Sequence, residues 1–348
     1  MENRIQLHQT ATQLRHCVIK VHSQFYNLAI VTEKAIYTAI CRENPSALPV
    51  FSQCWWLDAV CDDPGDWAVS ITTKGDQVTG VWPYMQTEKW SISMMRNPRL
   101  TPYLGPTVFF PADIKPGNRD SYEFEVVAEL LDGIPASDVW RLSVPPGLQQ
   151  AGLLRRSGLR LDVQQTFLCD LNRTEDAIFQ GFKESLRRNL RTADKEITIT
   201  EEPELVNLLY RFQQATLQRK RVTQSYDETQ MQRLMDACVK RGCGSLLVAR
   251  REDTVQAIVW NVWDQERSYY FMGAQNPAAD NYLSMSALLW HAIRQAKARG
   301  NQLFDFEGSM DPGVERFFRN FGADRSLYLV LRRDGHWLWK LTGLLGLR

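Results

Sequence analysis

The stretch from Leu303 to Ala323 restricts the fold more than any other part of the chain. Leu303, Phe304 and Phe306 make a short apolar strand that stops at Gly308, a Pro-Gly turn follows at Pro312-Gly313, and a short helix is closed by Gly322. Side chains alternate across a strand, so Asp305 and Glu307 are expected on one face and Phe304 and Phe306 on the other. A carboxylate at a strand end, just before a turn and a helix, is positioned as a catalytic or ligand-holding group. The same pair equally suits an exposed strand face, or a brace for the turn from Ser309 to Gly313.

At 348 residues the chain has the length of two domains. Its 41 basic and 40 acidic residues nearly cancel, so overall charge points to neither DNA nor an acidic surface as a partner. Any electrostatic partner must be met by a local patch. Seven cysteines, with no paired CxxC and no histidine at ligand spacing, point to reduced thiols and no metal site. The polar segment from Met1 to Arg15 has no signal-peptide pattern. No apolar run reaches the roughly 20 residues that span a bilayer. A cytoplasmic protein without an integral membrane segment is expected.

The periodicity divides the chain into a helical extension (1–30), a first domain (31–164), a second domain (165–333) and a tail (334–348). In the first domain, Ser52 is expected to cap a helix carrying Trp56, Leu57 and Val60. An antiparallel hairpin runs from Trp67 to Tyr84. The proline-restricted segment from Met94 to Pro106 can present Tyr103 to a cleft or serve as a connector. Near Thr166 the pattern begins again.

Asn172 followed by Glu175 predicts a helix from Glu175 to Lys195, with Phe179, Phe182, Leu186, Leu190 and Ala193 inward. Lys183, Arg187, Arg191 and Lys195 lie four apart on the other face. Like charges at that spacing repel by a few tenths of a kcal/mol per pair, which an anion against the stripe would relieve. A solvated basic face is the alternative. Further on, the helix from Ser284 to Arg299 opens with Ser284, Ser286 and Ala287, small residues whose first-turn amides suit a phosphate.

Four motifs, together with the order strand, helix, strand, helix, strand from Ser268 to Arg332, carry a resemblance. They are Phe51-Ser52-Gln53 with Trp55-Trp56-Leu57-Asp58-Ala59-Val60, Thr101-Pro102-Tyr103-Leu104-Gly105-Pro106, Ser185-Leu186-Arg187-Arg188-Asn189-Leu190-Arg191, and Phe304 to Ala323. The chain resembles the GNAT acyltransferase superfamily, and within it the Fem-like branch. That resemblance implies an α/β (α+β) fold of tandem GNAT-like domains, each a mixed, mostly antiparallel sheet flanked by helices. It implies transfer of an acyl group to an amine, commonly on a cell-envelope or glycan precursor, with acyl-CoA or aminoacyl-tRNA as donor. Two positions depart from the family pattern. The segment Asn281-Tyr282-Leu283-Ser284-Met285-Ser286 lacks the glycines of the usual CoA loop, and Phe318 stands where Fem-type transferases often carry a lysine.

On this reading Glu307 is the base, with Asp305 second. Backbone amides near Gly273 and Ala274 meet the oxyanion. Leu283, Ser284 and Ser286 begin the helix that receives the donor's phosphates. Lys183, Arg187 and Arg191, with Arg316 and Arg319, hold an anionic donor or acceptor, and Tyr103 lines the acceptor pocket. No nucleophile has a convincing base, so transfer is expected to be direct. A catalytically degenerate binding module is the alternative of a different class.

Overall fold

The computed structural model describes residues 32–279, 283–308 and 310–335. The expected N-terminal helices, Asn281 and Tyr282 of the donor loop, Ser309 and the tryptophan-containing tail lie outside the described residues. Two compact units emerge: one comprises residues up to Val163 together with Tyr328 onward, the other Gln164–Leu327.

The first unit opens with helices α1 (Glu33–Glu43) and α2 (Cys54–Val60). Strands β1 (Trp67–Lys74), β2 (Gln77–Lys89) and β3 (Ile92–Arg96) form an antiparallel meander, and β4 (Thr107–Val108) pairs with β2. Helix α3 (Arg119–Gly133) then carries the chain across to β5 (Val139–Ser143), which lies parallel to β3. A parallel neighbour needs such a crossover. Helix α4 (Ala151–Arg156) follows.

Two of the motifs that carry the family resemblance meet in this unit's core. The rings of Phe51 and Trp56 stand 5.0 Å apart, Phe51 lies 6.3 Å from Tyr103, and Trp56 Nε1 donates to Thr101 Oγ1 at 3.1 Å. Ser52 does not cap α2: it sits in a 3-10 turn, and the cap position falls to Gln53, whose amide instead bonds the carbonyls of Pro45 and Leu48.

The second unit repeats the plan. Its strands and helices run β6 (Arg160–Asp170), α5 (Glu175–Gln180), α6 (Glu184–Glu196), β7 (Thr198–Glu201), α7 (Val206–Arg219) and α8 (Glu228–Arg241). The antiparallel strands β8 (Gly244–Arg251), β9 (Thr254–Trp263) and β10 (Arg267–Gln275) come next. Helix α9 (Ser284–Ala298) crosses over to β11 (Leu303–Asp305), parallel to β10, and α10 (Pro312–Phe318) and β12 (Asp324–Asp334) complete the chain. β11 pairs antiparallel with β6. From Val330 onward β12 pairs with β5, so this strand, which the sequence pattern assigned to the second domain, completes the first unit's sheet.

The helix expected from Glu175 to Lys195 is broken into α5 and α6, and Thr174, not Asn172, caps the first piece. The break has a packing cause. Gly322, at φ +59°, lies so close to Gly181 that a Cβ on it would come 2.2 Å from the Gly181 carbonyl oxygen. The backbone of Lys183 turns outward and donates to Asn320 O at 2.9 Å. The end of the α10 segment therefore docks where a continuous helix would otherwise run.

Candidate active site

Strands β10 and β11 share only three register pairs, ending at Tyr269 and Asp305. β10 continues to Gln275 on its ladder with β9, whereas the chain after β11 turns away from it. Phe306 N donates to Phe167 O of β6 at 3.0 Å, so this segment stays with β6. The pairing of the two parallel strands thus ends at Tyr269, and the strands splay beyond it.

Asp305 and Glu307, expected side by side on one strand face, have different environments. Asp305 is fully buried. It accepts from Thr166 Oγ1 and from Glu307 N at 2.8 Å, and pairs with Arg267 at 3.3 Å. Burial pushes its carboxyl up, opposed by Arg267 and by these hydrogen bonds. A carboxylate so fully engaged anchors the strand end.

Glu307 lies beyond the end of β11, at φ +56°, and Gly308 follows at φ +63°. Two successive left-handed residues reverse the chain against β6. A Cβ on Gly308 would lie 2.0 Å from Gln165 O and 2.8 Å from Thr166 Cα, so only glycine fits. For Glu307 that conformation is strained, by an amount on the order of 1–3 kcal/mol. Its Oε1 is buried and has no hydrogen-bond partner. Burial first, and the Asp305 charge second, hold the Glu307 carboxyl well above the usual carboxylate range. A strained carboxyl with a raised pKa and one oxygen buried without a partner is unlike a structural one.

Tyr270 completes the arrangement, and the sequence reading missed it. A Cβ on Gly273 would come 2.4 Å from the Tyr270 hydroxyl, so this phenol lies over the Gly273 backbone. A bulge in the β10–β9 ladder between Tyr270 and Met272 brings the two to the same side. Burial, and the nearby Glu307 charge, push the phenol pKa up, so Tyr270 keeps its proton. Its ring stands 5.8 Å from Phe318, which in turn packs 5.0 Å from Phe306. The position at which the family resemblance leads one to expect a lysine is therefore an aromatic brace, buried to 2% exposure. A Tyr-x-x-Gly spacing across an irregular strand was the only sequence signal for Tyr270.

The expected phosphate-binding start of α9 is made of backbone. Leu283, Ser284 and Ser286 are all buried, and among the described residues no side chain caps the helix. With these side chains inward, an anion there would meet main-chain amides. Gly273 and Ala274 lie on the splayed part of β10, where Gly273 O accepts from Gln213 Nε2 at 2.8 Å.

Lys183 lies at the N-cap of α6, and Arg187 and Arg191 follow on it. Arg187 donates to Gln180 O at 2.7 Å, and Arg191 lies 5.8 Å over the Phe179 ring. Among the described residues none of these three cations has a carboxylate partner. Arg316 is exposed on α10, and Arg319 reaches Glu315 at 3.9 Å. Tyr103, expected to line the acceptor pocket, is 4% exposed and wedged between Phe51 and Tyr328 in the first unit. It is a core anchor, because the rigid loop turns its ring inward. Among the described residues, no cluster of three or more His, Cys, Asp or Glu could hold a metal, and no helix is long and apolar enough to cross a membrane.

These features have relatives. Residues 180–319 match the family described as an acetyltransferase (GNAT) domain. A search of curated proteins found no match. Among solved structures the chain is similar to FemX, with 14% identity over 83% of this chain and 92% of that one and a TM-score of 0.57. It is also similar to the C-terminal domain of a putative lysylphosphatidylglycerol synthetase from Agrobacterium fabrum, at 12% identity over 89% and 95% of the two chains and a TM-score of 0.51. L-PGS from Bacillus licheniformis gives the same identity of 12%, the same coverage of 89% and 95%, and a TM-score of 0.51. Residues 180–319 thus carry a GNAT acetyltransferase domain, and the chain as a whole shares the fold of FemX. It is an acyltransferase, of the transferase class.

Proposed function

We propose that the protein is an N-acyltransferase that moves an acyl group from acyl-CoA directly to an amine on a cell-envelope or glycan precursor, in the cytoplasm. The observation that carries this reading is Glu307, just beyond the end of β11, whose Oε1 is buried without a hydrogen-bond partner and whose carboxyl is held well above the usual range by burial. An amine reaches the site as an ammonium ion and attacks only after losing a proton. A carboxylate of ordinary strength is too weak a base for that, and raising its pKa improves it.

In this proposal Glu307 takes the ammonium proton, directly or through one water. Asp305, bound to Arg267 and Thr166, holds the strand end and keeps the Glu307 pKa high. Tyr270, held neutral over Gly273, donates a hydrogen bond to the oxygen or the leaving thiolate as charge develops. Main-chain amides at Gly273 and Ala274 share that load. The start of α9 at Leu283, Ser284 and Ser286 receives the donor's phosphates, and bound acyl-CoA supplies an activated thioester. Lys183, Arg187 and Arg191, assisted by Arg316 and Arg319, attract an anionic substrate.

A second reading, aminoacyl-tRNA as donor, is favoured by one observation: the basic face of α6 has no carboxylate partner among the described residues. The substitution of Phe318 for the expected lysine speaks against it. Thiol release from a set of acyl-CoAs, each offered with a panel of amines, tests the first reading. Turnover with at least one pair supports it, and inertness toward every acyl-CoA overturns it. Binding of charged tRNA that falls steeply with salt would then support the second.

A further inference from the structure

The turn joining β2 to β3 has a backbone that its residues do not favour. Lys89 and Ile92 pair across the hairpin, so Trp90 and Ser91 form its two-residue loop. They adopt φ +55° and +57°. Two successive left-handed residues make the hairpin turn that Asn-Gly forms most readily, and a bulky aromatic suits it poorly. Packing inside the protein does not repay that cost. Trp90 is 72% exposed, the most of any large hydrophobic side chain among the described residues. The ammonium group of Lys89 lies 4.6 Å over its ring.

The chain's C-terminal segment starts on the same edge of the first unit. Asp138, just before β5, accepts from Ser93 N at 2.9 Å and Ser93 Oγ at 2.8 Å, and its carbonyl accepts from Gly335 N at 2.8 Å. Ser93 is two residues beyond the turn, so Gly335 lies close to it. The sequence that follows, residues 336–348, has Trp337, Trp339 and five leucines, with His336, Lys340 and Arg348 as its charged or titratable residues and no acid. Lys89 adds a cation at the turn, and strand alternation puts Glu88 on the other face of β2. Tryptophan favours the headgroup level of a bilayer, leucine the acyl boundary beneath it, and lysine and arginine the phosphates of anionic lipids. A purely apolar protein partner would leave this one-sided charge unanswered.

We infer that the β2–β3 turn, with the basic Trp- and Leu-rich sequence that begins beside it, docks the protein on an anionic lipid surface, and that Trp90 is the anchor of the turn. This is attachment to a surface and not a span. It stands without the acyl-transfer reading, since neither the turn nor Asp138 belongs to the proposed active site.

The test is cosedimentation of the full chain with vesicles of phosphatidylcholine alone, and with vesicles of equal parts phosphatidylcholine and phosphatidylglycerol. Wild type, Trp90→Asn and Lys89→Gln are compared. Wild type is expected to bind the phosphatidylglycerol vesicles about tenfold or more better than the neutral ones, and to be released by salt. Trp90→Asn should weaken that binding about tenfold, through loss of one large buried aromatic. Its melting temperature without vesicles should equal or exceed that of wild type, because Asn suits a left-handed position. Lys89→Gln should weaken binding by a smaller factor, and only at low salt. No binding by wild type, equal binding to both vesicles, or undiminished binding by Trp90→Asn overturns the inference. So does a lower melting temperature of Trp90→Asn, which would show that the ring serves the fold. No step requires turnover, so failure here and failure of the acyl-transfer reading are distinguishable.

Discussion

The Tyr270 hydroxyl lies over the backbone of Gly273, so closely that a Cβ on Gly273 would come 2.4 Å from it. One residue thus has to be glycine because another, three positions earlier, folds back across it. This sets a neutral phenol against the splayed part of β10 where an acyl oxygen would be met. Tyr270→Phe keeps the ring packing on Phe318 and removes the donor. It is expected to lower kcat by about 10²-fold with a melting temperature within a degree or two of wild type. Unchanged kcat in steady-state assays would exclude a role for the hydroxyl.

The raised pKa of Glu307 makes a prediction about pH and rate. Only the ionised carboxylate accepts a proton, so the acid limb of kcat/KM is expected well above the ordinary value of 4.5. Asp305→Asn removes the neighbouring charge and should shift that limb to lower pH. A limb that stays in place in this variant would mean that Glu307 and Asp305 are not electrostatically coupled.

The same shift has a signature in stability. Folded Glu307 holds its proton more tightly than the unfolded chain, whose carboxyl titrates near 4.5. The stabilisation is fully present below that pH and is lost as pH rises through the folded pKa, at about 1.4 kcal/mol per pH unit within the window. Glu307→Gln should therefore be more stable than wild type at pH 8 and not at pH 4. Parallel melting curves across pH would contradict this.

Gly308→Ala tests the turn. Its Cβ would enter the backbone of β6 at Gln165 and Thr166, and neither strand can move without breaking the Asp305 contacts. Destabilisation of more than about 3 kcal/mol is expected in chemical denaturation. A loss below 1 kcal/mol would mean that the turn relaxes freely.

Lys183→Gln with Arg191→Gln tests the basic face. Relieving like-charge repulsion should leave stability unchanged or raise it by a few tenths of a kcal/mol. KM for an anionic substrate should rise about tenfold, with less effect at high salt. No change in KM at low salt would reduce the stripe to a solvated surface.

Much of this was legible in the sequence. The strand, helix, strand order from Ser268 to Asp305 depends on period and turn residues, and the structure has it. The break at Gly181 was not legible, because the apolar spacing of Phe179, Phe182 and Leu186 continues across it. Only the approach of Gly322, distant in sequence, ends α5. Period-two alternation likewise misplaced Glu307, since the strand ends at Asp305 and two left-handed residues follow. Tyr103 was named for its loop, but burial is set by its neighbours Phe51 and Tyr328. Tyr270 went unseen because a bulge is a property of packing.

The central claim is that Glu307 is the base for acyl transfer to an amine. Its most direct test is single-turnover thiol release by wild type and Glu307→Gln, with acyl-CoA binding measured in parallel. The expected result is a loss of about 10²–10⁴-fold in rate, disappearance of the acid limb, and undiminished donor binding. Turnover by Glu307→Gln at the wild-type rate, with the acid limb intact, would contradict it.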